Sequence, residues 1–141
     1  MGKRRDGREA AVQFLFQHDL NAGKQEELSG GFWNLRPSTQ NVRDFCETLI
    51  QGVLANKVAI DERIQKYTAN YELHRIAAVD RNILRVAIYE MLFCNDVPPV
   101  VSINEAIEIA KRYGAEESGR FVNGILDRVK LDLTRPARTT S

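Results

Sequence analysis

Four cations fall within six residues at the start of the chain: Lys3, Arg4, Arg5 and Arg8. A guanidinium presents a planar fork that fits two phosphate oxygens, so a run of this kind can settle along a nucleic-acid backbone. Asp6 and Glu9 dilute the run, and a solvated basic terminus is the plain alternative. RNA suits the run better than duplex DNA. No pair of helices stands out as a reader of the major groove, whereas a modest patch with surface aromatics suits single strands. Phe16, Tyr113 and Phe121 could stack on bases, and each reads equally as a ring at the core edge.

Other chemistry is sparse. His18 and His74 have no nucleophile or acid at motif spacing, and read as a core-edge and a loop or helix-start residue. Cys46 and Cys94 sit inside apolar helical patterns as small buried hydrophobes, too far apart to frame a zinc site with two histidines. Gly114 and Gly119 flank Ala115-Glu116-Glu117-Ser118, but no phosphate-loop lysine follows. The adjacent acids Asp61-Glu62 and Glu116-Glu117 read as solvated charge. These residues point to no enzyme, no metal and no cofactor. A formal charge of +1 leaves nucleic-acid binding to a local patch rather than to the whole-chain field. No signal-type or membrane-spanning apolar run occurs, which makes the cytoplasm the expected compartment.

Helices must position these groups. The 141 residues suffice for one domain with its own core, with residues 1–7 and 133–141 read as flexible ends. Ala11, Phe14, Leu15 and His18 recur on one face of a first helix over 8–20. Asn21 to Pro37 reads as a turn or irregular segment that Phe32 and Trp33 anchor to the core. Ser38 is placed to cap a second major helix carrying Val42, Phe45, Cys46, Leu49 and Val53, and the pattern changes phase near Asn56. From Val79 to Phe93 apolar residues cover most of the helix circumference, which predicts the central helix of the domain. On it Asp80, Arg81, Arg85 and Tyr89 form one polar-aromatic edge, readable as a protein-binding rim or as the solvent side. Pro98 and Pro99 end that helix. Ser102 and Glu105 match a capping box for the next one, Gly114 stops it, and a last helix runs from Glu117 or Ser118 to Leu131. No strand of convincing alternation appears, so the fold class is all-α.

Arg8-Glu9-Ala10-Ala11-Val12-Gln13, Leu84 to Met91, and Ile103-Asn104-Glu105-Ala106-Ile107-Glu108 followed by Phe121-Val122-Asn123-Gly124 together resemble the NusB family of bacterial transcription antitermination proteins. The resemblance covers nearly the whole chain and is strongest after Val79. It implies a compact fold of about seven helices in two helical subdomains. It also implies a non-catalytic role: binding boxA-containing single-stranded RNA together with ribosomal protein S10 (NusE), alongside other Nus factors and RNA polymerase, during ribosomal RNA transcription. By the same resemblance Lys3, Arg4, Arg5 and Arg8 contact RNA, Glu117 and Phe121 lie on its other side, and Asp80, Arg81 and Arg85 face S10. Asp6 interrupts a basic run that is often continuous in the family, and Pro99-Val100 stands where relatives can carry an aromatic and a lysine. Both departures shift RNA binding toward S10's contribution. The competing readings are a protein-only scaffold or homodimer, and an RNA-binding domain like that of RsmB-type ribosomal RNA methyltransferases.

Overall fold

The helix expected to be buried on most sides is the axis of the fold. The computed structural model describes residues 2–21, 31–68 and 72–134, and in it this helix is α5 (Ala78–Phe93). Ile83, Leu84 and Ile88 on it are almost wholly removed from water, each burial stabilising the fold by about 1.5–3 kcal/mol. Before it come α1 (Gly2–Leu20), the single turn α2 (Trp33–Leu35), α3 (Gln40–Ala55), α4 (Lys57–Lys66) and a 3-10 turn at Leu73–Arg75. After it come α6 (Pro99–Tyr113) and α7 (Ser118–Thr134). The described residues contain seven α-helices and no strand. α1, α3 and α4 pack on α5 as one group and α6 with α7 as a second, so α5 serves both helical subdomains. No helix among the described residues is long and apolar enough to cross a membrane.

Several ends differ from the sequence reading. Helix α6 starts at Pro99, not after Ser102: Pro98 is the extended N-cap and Pro99 occupies the first turn, where its missing N–H leaves nothing unsatisfied. Ser102 is therefore a buried helical residue with Oγ 3.5 Å from a Glu90 carboxylate oxygen, and Glu105 reaches across to α1 rather than back to a cap. Thr39, not Ser38, caps α3, its Oγ1 accepting from the Val42 N–H at 3.4 Å. Ser38 instead accepts from Arg36 Nη1. The phase change at Asn56 is a real break: its backbone N–H and its side-chain amide both donate to the Gly52 carbonyl, closing α3 where α4 begins. Residues 2–7 form the opening turns of α1, and α7 extends to Thr134. Phe32 and Trp33 do tie their segment to the core, packed edge to face at 5.0 Å, while residues 22–30 and 135–141 lie outside the described residues.

Gly7 and Gly52 make two of these packings possible. A β-carbon at Gly7 would sit 2.5 Å from the Phe45 ring, and one at Gly52 would collide with the Tyr89 ring. Gly7 thereby lets α1 and α3 approach.

Candidate nucleic-acid and partner interfaces

Because α1 is helical from Gly2, the four N-terminal cations are distributed around a rigid rod, and their fates diverge. Lys3 and Arg4 are exposed, and neither makes an ion pair among the described residues. The Arg4 guanidinium lies over the Phe45 ring at 4.7 Å, which leaves its charge un-neutralised. Arg5 forms two hydrogen bonds to Glu105, at 2.8 and 2.9 Å. Its side chain is 41% exposed, so the pair contributes little and can exchange for a phosphate. The hydrogen bond from Arg5 is the main cause that holds the Glu105 carboxyl below its usual range.

Arg8 is a different matter. It is buried, and its Nε and Nη2 donate to the Glu90 carboxylate at 2.9 and 3.0 Å. The expected phosphate contact at Arg8 is therefore corrected: in this fold its fork is already filled by a carboxylate in the core. The signal was present in the sequence, since Glu90 lies on the most apolar helix of the chain and a buried carboxylate needs a cation. Glu9 on the adjoining face is also buried, and accepts from Arg112 at 2.6 Å and from the Tyr113 hydroxyl at 3.2 Å. Burial and then the Glu9 charge push the Tyr113 phenol up. Tyr113 is thereby fixed by its hydroxyl, with its ring partly exposed.

The second set of residues meets at one groove. Asp80, Glu117 and Phe121 line a cavity of about 480 Å³ with Arg75, Ile76 and Ser118, between the 3-10 turn and the start of α7. Glu117 is exposed there and pairs with Arg120 at 3.1 Å. The turn that presents it is held by Ser118, whose Oγ accepts from the Ala115 N–H at 2.9 Å. Gly114 is needed for this turn, because a β-carbon would meet the Ser118 side chain at 2.5 Å.

Arg81 and Arg85 do not reach that groove, and the expectation that they are exposed is corrected. Arg85 is buried, with its fork on Asp61 at 2.8 and 3.1 Å and its Nη1 on Asp19 at 2.8 Å. Arg81 donates to the same Asp19 oxygen at 3.0 Å and to the Ile76 carbonyl at 2.8 Å. Asn82 adds a third donor to Asp19 at 3.0 Å. Burial alone would raise the Asp19 pKa; the Asn82 hydrogen bond, the Arg85 charge and the Arg81 contacts together outweigh it and hold the carboxyl below the usual range. These arginines tie α1, α4 and the 3-10 turn to α5, and of the three expected partner-facing residues only Asp80 lines the groove.

The histidines and the buried Cys46 stay outside both surfaces, whereas Cys94, expected to be buried within a helix, is a half-buried residue capping the end of α5. His18 is buried against Phe14, and His74 is exposed on the 3-10 turn. Burial pushes the Cys46 thiol up to about 12, so it is not a reactive thiolate.

A sequence profile of the NusB family matches residues 5–130, nearly the whole chain, from Arg5 through the groove of Asp80, Glu117 and Phe121. The chain belongs to the NusB family. A transcription antitermination protein NusB from Methylacidiphilum infernorum is 46% identical over 138 residues, covering 97% of this chain and 96% of that protein. The NusB structure from T. maritima superposes with a TM-score of 0.81 at 42% identity, covering 92% of this chain and 91% of that one. The fold, at 24% identity, is also shared with a chain in a crystal structure of antitermination factors NusB and NusE with double-stranded RNA, with a TM-score of 0.84 and coverage of 94% and 98%.

Proposed function

We propose that this chain is a transcription antitermination factor that binds boxA RNA jointly with ribosomal protein S10, without catalysis, in the cytoplasm. Membership of the NusB family over residues 5–130 is the observation that carries this reading. The geometry supports it with two separate surfaces on one rigid scaffold. Lys3 and Arg4, with Arg5 exchangeable, offer cations at the start of α1 for a phosphate backbone. The groove of Asp80, Glu117 and Phe121 offers carboxylates and one aromatic ring, a chemistry suited to a basic protein partner beside an RNA base. Other Nus factors and RNA polymerase would join through the assembled complex. The cationic end is small, so S10 has to supply part of the RNA affinity.

Lys3→Ala combined with Arg4→Ala is expected to weaken boxA binding, measured with S10 present by RNA titration across a salt series. For every phosphate that no longer meets a cation, the salt slope should fall by about one. The melting temperature should hardly move, because both side chains are exposed. An unchanged dissociation constant and slope would remove these two residues from the RNA surface.

A further inference from the structure

The surface beside the cationic end carries an exposed ring that lies outside both the buried core and the groove near α7. Phe93, at the end of α5, is 47% exposed and stacks on Tyr89 at 5.5 Å with 28° between the planes. The Tyr89 ring in turn lies against Gly52 of α3, close enough that any side chain there would strike it. Phe45 stands seven residues before Gly52 on α3, two helical turns and about 10 Å away on the same face. Its ring carries the Arg4 guanidinium. One face of α3 therefore runs from a cation on a ring, Arg4 over Phe45, to a fixed pair of rings, Tyr89 and Phe93, with the outermost ring open to solvent.

Resting on the reading of this chain as an RNA-binding factor, we propose that Phe93, backed by Tyr89, is a base-stacking platform that continues the RNA path from Lys3 and Arg4 along α3. Single-stranded nucleic acid takes such a surface because every base has a flat face, while cations at one end hold the backbone. The charge distribution sets which part of the strand goes where. The cations lie at the α1 end. The exposed carboxylate of Asp96, three residues after Phe93, disfavours phosphates there and favours a base. Phe93 is already backed by Tyr89, so little ordering is needed when a base arrives. An exposed aromatic ring supported in this way loses little conformational freedom on binding.

The test is a titration of boxA RNA, with S10 present, against the wild type, Phe93→Leu and Phe93→Trp. The RNA carries 2-aminopurine, whose fluorescence falls when the base stacks. Leucine keeps the apolar bulk and removes the ring face. It should weaken binding about five- to hundredfold and abolish quenching at one labelled position, whereas tryptophan should preserve both. All three proteins should share one melting temperature and bind S10 alone equally well. Wild-type affinity and quenching in Phe93→Leu would overturn the platform while leaving the RNA-binding reading intact. Weakened binding of S10 alone would overturn it in favour of a protein contact. Failure of the wild type itself to bind RNA would overturn both readings.

Discussion

Arg8→Ala is expected to destabilise the fold by about 3–5 kcal/mol, the cost of leaving one partner of a buried ion pair alone. Glu90 keeps only 1% of its side-chain surface exposed and would be deprived of the two-point guanidinium pairing that offsets its burial. At roughly 3 °C per kcal/mol for a domain near this size, the melting temperature should fall by roughly 10 °C. Arg8→Lys should recover only part of the loss, since an ammonium cannot fork onto both oxygens. The pair Arg8→Met with Glu90→Leu removes both charges and should be more stable than either single charge removal. Urea unfolding of the wild type, Arg8→Met, Glu90→Leu and the pair forms a double-mutant cycle. A melting temperature within 2–3 °C of wild type for Arg8→Ala would show that the pair is not held as described. Any RNA-binding loss in Arg8→Ala must therefore be read beside its stability, which separates it from Lys3 and Arg4.

Asp19→Ala is expected to cost about 3 kcal/mol, because it leaves Arg81, Arg85 and Asn82 without the oxygen on which all three converge. The same carboxylate gives a pH signature. Its folded pKa lies below the ordinary aspartate value near 4, so its stabilisation is fully present above that value. It is lost as pH falls through the folded pKa, because the unfolded chain takes up the proton first. Wild type and Asp19→Ala should therefore differ most in unfolding free energy at neutral pH and converge under acid conditions. A difference that stays constant down to low pH would assign the loss to packing rather than to the carboxylate.

Much of the scaffold was legible because helical burial is a local, periodic property. The near-continuous apolar surface of residues 79–93 could only suit a helix enclosed by others, and the break at Pro98 follows from backbone chemistry. Starts were harder. Ser102 and Glu105 match the capping pattern, yet the helix is capped at Pro98, four residues earlier, which draws Ser102 into the core. Thr39 and Ser38 are chemically equivalent caps, and only the chain direction after Arg36 decides between them.

The candidate surfaces were legible by residue type and not by fate. Arg4 and Arg8 are one helical turn apart and of one residue type, and the clue that separates them, a carboxylate on the most apolar helix, lies 82 residues away: Arg4 stays exposed while Arg8 is fixed to Glu90. Arg81 and Arg85 follow the same rule. Their acidic partners, Asp19 and Asp61, lie 62 and 24 residues distant, beyond any local pattern. Asp80 lies 37 residues before Glu117 and 41 before Phe121, and only the fold gathers the three on one groove.

The most direct measurement is the binding of boxA RNA and of a scrambled RNA to this protein at fixed near-physiological salt, with and without folded S10. Weak, poorly selective binding by the protein alone and tighter, boxA-selective binding when S10 is added are the expected results. Equal affinity for the two RNAs in both conditions would contradict the proposed joint binding.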